Sequence, residues 1–198
     1  MTEPLTVVGT ARSRAARVLW LLEELGLPYD HIQARPGSDE ARAYNPSGKV
    51  PVLLIGDASL TDSTAILAWL ADREGRFTYP AGSLERARQD GFTQLILDEI
   101  EALIWTSARH SFVLPEELRL PAIKPSLKWE FAQNQARLAL RLGDAPFLMG
   151  DLMTVPDIIL TQCLAWAASA SFPDTEPNLT AYRERLRARP AYQRAAAK

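Results

Sequence analysis

Two short stretches of this 198-residue chain carry residue types that could hold a small polar molecule and activate it. In the first, Arg12, Arg14 and Arg17 crowd the start of a helical pattern whose last turn carries Glu23 and Glu24. Both signs oppose the helix macrodipole, and each exposed charge misplaced at a helix end forgoes about 0.3–1 kcal/mol. An anion held near Arg12 to Arg17 would make sense of the pattern; the alternative is that these arginines pair with nearby acids and the glutamates are solvated. Ser13 lies at the same helix start, where its hydroxyl either caps the helix or donates a hydrogen bond to a ligand. No Gly-x-Ser-x-Gly elbow surrounds it, so a catalytic Ser13 would stabilise another molecule's nucleophile rather than attack on its own account.

The second stretch, Thr61-Asp62-Ser63-Thr64, offers another helix start with backbone N–H groups for a carboxylate and an adjacent acid for an ammonium group. Together they suit the amino-acid end of a small zwitterion, against the alternative of ordinary capping. Upstream, Val50-Pro51 opens the apolar run Val52 to Ile55. Proline gives no N–H to a sheet ladder, so it belongs at the first residue of a strand, and Val50 is then held extended with its own peptide groups outside the sheet. That arrangement suits pairing with another chain. By contrast, Thr154-Val155-Pro156-Asp157 reads as a capping box with Met153 and Ile158 placed as a staple, a folding device without chemistry.

The elements that must position these residues fall into two groups. Leu5 to Val8 and Tyr29 to Ala34 read as strands around a helix from Ser13 to Leu25, which Gly26 caps and Pro28 prevents from continuing. Val52 to Ile55 and Ser59-Leu60 can only pair antiparallel across Gly56-Asp57, and a helix follows from Asp62 or Ser63 to Gly75, after a loop that has room for a short helix. Beyond Phe77 no strand pattern recurs. Helical patterns run from Leu84 to about His110, from about Pro125 to Leu142, from Thr154 to about Ser169, from Leu179 to Ala188 and from Ala191 to Ala197. The expected division is 1–76, a linker at 77–84, and an all-helical domain over 85–198.

Composition narrows the function. A net charge of −2 with interleaved signs gives no field for nucleic acid or an anionic membrane, and no apolar run is long enough for a membrane span. One cysteine, Cys163, excludes an internal disulfide and a Cys-x-x-Cys pair, and two isolated histidines add no metal site. Cys163 reads as a small buried hydrophobe, and His110 as structural or surface. The N-terminus lacks a secretory pattern, so the cytoplasm is the expected location.

Ser13 to Tyr29, Asn45 to Leu53, Thr61 to Leu67 and Gly150 to Ile158, in this order and at these separations, resemble the soluble glutathione S-transferase family over nearly the whole chain. The resemblance implies an α/β thioredoxin-like N-terminal domain, an all-α C-terminal domain, and a homodimer. It implies a cis bond at Val50-Pro51, with the Val50 backbone pairing to the cysteinyl part of glutathione, Asp62 and Ser63 holding the γ-glutamyl end, and Lys49 or Arg35 near the glycyl carboxylate. Ser13 aligns with the sulfur-binding hydroxyl of the serine-type classes called theta and zeta, with Thr10 a second hydroxyl close by. The run Arg12-Ser13-Arg14 differs from the Ser-Ser-Cys of the zeta class, which argues against isomerase activity. The electrophile is expected between the domains, against Trp105, Arg109 and Phe112, with Trp166 read as core.

The implied activity is conjugation of glutathione, the co-substrate, to a small apolar electrophile, with no metal. A glutathione-dependent peroxidase or disulfide reductase, and a non-catalytic glutathione-binding protein of the same fold, are the alternatives.

Overall fold

Alternation along two short apolar runs sets the sheet. In the computed structural model, which describes residues 3–198, β1 (Leu5–Val8) lies between β2 (Asp30–Ile32) and β3 (Val52–Ile55), and β4 (Ala58–Thr61) completes the order β2-β1-β3-β4. The β1–β2 pair is parallel, and both β1–β3 and β3–β4 are antiparallel. In the β1–β3 register Leu5 faces Ile55 and Val7 faces Leu53, so all four point to one side and are buried. Val8 and Val52 point the other way, where Ala34 and Ala41 cover them with Ile32, Val50 and Leu54 at the margin. Both faces of this small sheet are therefore dry at its centre.

Three helices join these strands. α1 (Ala15–Leu25) buries Val18, Leu19, Trp20, Leu21 and Leu22 and ends at Gly26, whose φ of 71° is the left-handed cap its sequence asks for. α2 (Asp39–Tyr44) is the short helix for which the loop had room, capped by Ser38. α3 (Ser63–Glu74) buries Ile66, Leu67, Leu70 and Ala71, with Asp62 as its N-cap. The β-α-β and β-β-α order around a mixed sheet is the thioredoxin-like arrangement that the resemblance implies.

The remaining elements are helical. α4 (Leu84–Leu95), α5 (Ala102–Ala108), α6 (Lys124–Leu142), α7 (Val155–Ser169), α8 (Pro177–Arg187) and α9 (Pro190–Ala196) follow in turn. The continuous pattern expected from Leu84 to His110 is broken twice by π-helical turns, at Ile96–Glu101 and Arg109–Val113. At α7 the capping box is made as expected. The Asp157 carboxylate, fully buried, accepts from the Leu148 and Thr154 N–H groups at 2.9 and 2.7 Å, and from the Thr154 and Tyr182 hydroxyls at 3.0 and 2.7 Å. Burial pushes this carboxyl up, and the four donors pull against it. No helix among the described residues is long and apolar enough to cross a membrane.

The expected domain boundaries need correction. The chain separates into one compact unit of residues up to Pro80 together with Arg187–Lys198, and a second of Ala81–Leu186. α9, expected in the C-terminal domain, belongs to the first unit because it supplies cations to the acidic end of α1. Arg189 forms a two-pronged bond to Glu24, Nε to Oε1 at 2.6 Å and Nη2 to Oε2 at 2.8 Å, and Arg194 Nε donates to Glu23 Oε2 at 2.6 Å. Tyr192 meets the buried Trp20 ring edge-on, with centroids 5.1 Å apart. Glu23 and Glu24 are thus not the solvated residues of the alternative reading. Burial alone would raise their carboxyls; the hydrogen bonds from Arg194 and Arg189, with those from Tyr29 and Trp20, hold both below the usual carboxylate range.

Candidate functional site

Three segments converge at the carboxyl end of β1. Gly9, the next residue, has φ +146°, and a Cβ built on it would stand 2.6 Å from the Cβ of Ala15 and 3.2 Å from that of Val50. Both the backbone conformation and the contacts exclude a side chain there. Its absence lets the start of α1 and the residue before Pro51 close on the same point. From α1, Arg17 Nη1 donates to Ser63 Oγ at 3.3 Å, which joins the starts of α1 and α3. Arg17 and Ser63 are both fully buried.

Ser13 sits in a tight turn between Gly9 and α1. The Thr10 carbonyl accepts from the Ser13 amide at 2.9 Å and from the Ser13 hydroxyl at 2.7 Å, while Ser13 Oγ accepts from the Ala15 amide at 3.1 Å. Ser13 therefore caps the first turn of α1, although the formal cap position falls at Arg14. A hydroxyl has one proton to give. Here it points at the Thr10 carbonyl, so serving a sulfur anion requires rotation about the C–O bond, during which the bond from Ala15 can persist. Thr10 Oγ1 accepts from the Arg12 amide at 3.4 Å.

At the start of α3 the cap is Asp62, not Thr61 or Ser63. Its Oδ1 accepts from the Thr64 amide at 2.8 Å and from the Ala65 amide at 3.1 Å. Its φ of 70° and ψ of 122° lie where few residues other than glycine settle, at a cost of about 1–3 kcal/mol. Both described bonds use Oδ1, and Asp62 is exposed, so its carboxylate is accessible to a cation. Ser63 is the first helical residue, where a backbone N–H has no partner within the helix. One short segment thus presents a negative oxygen and a positive helix end side by side.

The Val50–Pro51 peptide bond is cis. β3 begins at Val52, which leaves the Val50 peptide groups ahead of the ladder. The loop before it is tied by Asn45, whose Nδ2 donates to the Lys49 carbonyl at 3.0 Å and whose Oδ1 accepts from the Ser47 amide at 3.2 Å. Lys49 is exposed one residue before Val50, and Arg35 is exposed beyond β2.

The remaining residues singled out from sequence lie in the second unit. Trp105 on α5 is 37% exposed, and Phe112, on the π-helical turn with Arg109, is 70% exposed. At His110, read from sequence as structural or surface, the Leu120 amide donates to Nδ1 at 3.1 Å and ties the end of this helical run to the following loop. Cys163 is fully buried but not merely a hydrophobe, because its thiol donates to Glu101 Oε2 at 3.6 Å. Among the described residues no group of three or more His, Cys, Asp or Glu side chains is placed to hold a metal ion.

Three participants at the β1 end were not singled out from sequence: Gly9, the burial of Arg17, and His31 on β2, whose Nε2 lies 2.7 Å from the Gly9 carbonyl oxygen. Gly9 stands two residues before Ala11-Arg12 in a stretch with a turn composition, which was the available signal. Arg17 stood out in the sequence only as one of three cations at a helix start, with no sign of its burial, and nothing local marks His31.

Residues 12–73 match the family described as glutathione S-transferase, N-terminal domain. A probable glutathione S-transferase of rice is 27% identical, over 98% of this chain and 96% of that protein. Among solved structures, a glutathione transferase from Methylococcus capsulatus is 27% identical with a TM-score of 0.85, covering 98% of this chain and 97% of that one. A theta-class glutathione S-transferase from Xanthomonas axonopodis pv. citri, solved with glutathione bound, is 28% identical with a TM-score of 0.80, covering 99% of this chain and 98% of that one. The match places residues 12–73 in the glutathione S-transferase N-terminal domain family, and the relatives and structures make the chain similar to glutathione S-transferases over nearly its full length.

Proposed function

We propose that this protein binds reduced glutathione, stabilises its thiolate through the Ser13 hydroxyl, and transfers the sulfur to a small apolar electrophile. The observation that carries the reading is the convergence of the starts of α1 and α3 and the Val50 loop at the end of β1, seen in the close approach of Gly9 to Ala15 and Val50 and in the Arg17–Ser63 bond.

The tripeptide lies extended against Val50, whose N–H and C=O pair with the cysteinyl unit. The γ-glutamyl ammonium meets Asp62 Oδ2, and its carboxylate meets the Ser63 amide and hydroxyl at the positive end of α3. Lys49 or Arg35 neutralises the glycyl carboxylate. A free thiol ionises near pH ~8.5, and a hydroxyl donor with a helix N-terminus favours the thiolate, the attacking form. The sulfur anion attacks an electrophilic carbon, a carbon–sulfur bond forms, and a leaving group departs with its electron pair or an adjacent π bond takes up the electrons. Trp105, Arg109 and Phe112 contact the electrophile. No step uses a metal. The protein works as a homodimer in the cytoplasm, a reading that rests on the family.

Titration calorimetry with reduced glutathione and with its S-hexyl derivative tests this. The account expects both to bind, the alkylated form more tightly because its chain buries apolar surface beside the sulfur. Absence of binding by either would contradict it.

A further inference from the structure

We infer that His31 is a positioning residue for glutathione activation: it holds the Gly9 carbonyl and thereby fixes the turn that aims the Ser13 hydroxyl. This rests on the functional reading above and adds to it a residue from a different strand. His31 occupies the middle of β2, paired in parallel register with Val7. Its Nε2 stands 2.7 Å from the Gly9 carbonyl oxygen. A carbonyl only accepts, so Nε2 carries the proton, in the neutral ring as in the charged one. The bond therefore persists whichever state the ring is in.

Gly9 is gripped on both sides. Its amide donates to the Ile32 carbonyl at 3.0 Å, and its own carbonyl accepts from His31. A side chain at Gly9 is excluded by Ala15 and Val50, and both polar groups of this residue are engaged. The next carbonyl along the chain, that of Thr10, is the one holding the Ser13 amide and hydroxyl. The path from His31 to Ser13 is therefore one planar peptide and one tight turn. Releasing the Gly9 carbonyl lets that peptide rotate about the flexible glycine, and the Ser13 oxygen moves with it. Displacements well under an ångström at a donor weaken an aimed hydrogen bond, so the loss falls on the sulfur anion more than on the tripeptide's ends.

The test compares His31→Leu, which removes the donor at similar bulk, with His31→Gln, which returns an amide N–H on a side chain of similar reach, using Ser13→Ala in parallel. Each variant is titrated for the thiolate of bound glutathione by ultraviolet difference absorbance, its glutathione Kd is measured by calorimetry, and exchange of the Ser13 and Ala15 amides is followed. In the Leu variant the bound thiol should ionise about one pH unit higher and kcat/KM should fall about tenfold, with Kd within about threefold, because only the anion loses a partner. The Gln variant should recover most of both, and amide exchange at Ser13 and Ala15 should quicken in Leu and slow again in Gln. Unchanged exchange and an unchanged thiol titration in the Leu variant would overturn the inference. So would equal losses in Leu and Gln that merely track loss of folded protein. If Ser13→Ala leaves the thiol titration unchanged, the functional reading fails instead, and the exchange data still decide whether His31 holds the turn.

Discussion

Arg17, in the first turn of α1, donates from Nη1 to the hydroxyl oxygen of Ser63, the first residue of α3, at 3.3 Å with both residues buried. The bond links the start of α1, where we place the sulfur ligand, to the start of α3, where we place the γ-glutamyl end. Leaving a buried hydroxyl without its partner costs about 1–3 kcal/mol. Arg17→Met should therefore lower the stability measured by denaturant unfolding by at least that much, and should weaken glutathione binding severalfold. Arg17→Lys, which keeps the charge but loses the planar fork, should fall between the two.

Ser13→Ala should separate two roles. The Ala15 amide loses its cap, which costs about 1 kcal/mol in unfolding experiments. In the proposed role the sulfur also loses its donor, which should reduce kcat by about 100- to 1000-fold while glutathione affinity changes little. Thr10→Val should have a much smaller effect on kcat, because Thr10 contributes its carbonyl, which the substitution retains, to the Ser13 turn. A larger loss in Thr10→Val than in Ser13→Ala, read by conjugation kinetics with an aromatic halide, would reassign the sulfur ligand.

Asp62 combines a cap with a charge, and substitutions can divide them. Asn at this position keeps an oxygen for the Thr64 and Ala65 amides and tolerates positive φ, so Asp62→Asn should leave unfolding stability within about 0.5 kcal/mol. Without the negative oxygen, calorimetry should show glutathione binding weakened by about tenfold or more, as for a charged hydrogen bond lost. Asp62→Ala should lose affinity to the same degree and also about 1 kcal/mol of stability with the cap.

The pairing of α1 with α9 makes stability depend on pH in a stated direction. Glu23 and Glu24 ionise below the ordinary 4.5 in the folded chain, held there against burial by Arg194 and Arg189 with Tyr29 and Trp20. A depressed folded value means the unfolded state binds protons more readily, so this contribution is complete above the unfolded value near 4.5 and is lost as pH falls through the lower folded one. Arg189→Met should lower the unfolding midpoint at pH 7 and flatten the fall in stability below the unfolded value. Equal acid sensitivity in the variant and the parent would contradict this role.

Much of the first unit was legible because local rules and tertiary packing agree there. Leu5 to Val8 and Val52 to Ile55 are apolar runs with clear boundaries, and Gly26 and Gly75 close their helices in the left-handed conformation a cap requires. β2 is shorter than Tyr29 to Ala34 because its pairing with β1 ends at Ile32. The π-helical turns at 96–101 and 109–113 were not legible, since one extra residue per turn leaves an apolar pattern that a plain helix explains equally well. Nor was the placement of α9, because Arg189 and Arg194 look like ordinary surface cations until Glu23 and Glu24 lie opposite them.

The candidate site was readable as residue types at two helix starts and a proline-led strand, and only partly as geometry. Asp62 and Ser63 reveal themselves by their position at a helix start, and Val50 by the proline after it. The direction of the Ser13 proton toward Thr10 is a choice of hydroxyl rotamer that residue types do not fix, and the sharing of Ser63 with Arg17 and the hold of His31 on Gly9 join residues 46 and 22 positions apart, which no local pattern encodes.

The central claim is that bound glutathione lays its sulfur under the Ser13 hydroxyl, and a crystal structure of the glutathione complex tests it most directly. The account predicts the sulfur within hydrogen-bond distance of Ser13 Oγ, the cysteinyl unit paired with the Val50 backbone, and the γ-glutamyl group on Asp62 and Ser63. A tripeptide bound with its sulfur turned away from a Ser13 hydroxyl still donating to the Thr10 carbonyl would contradict it.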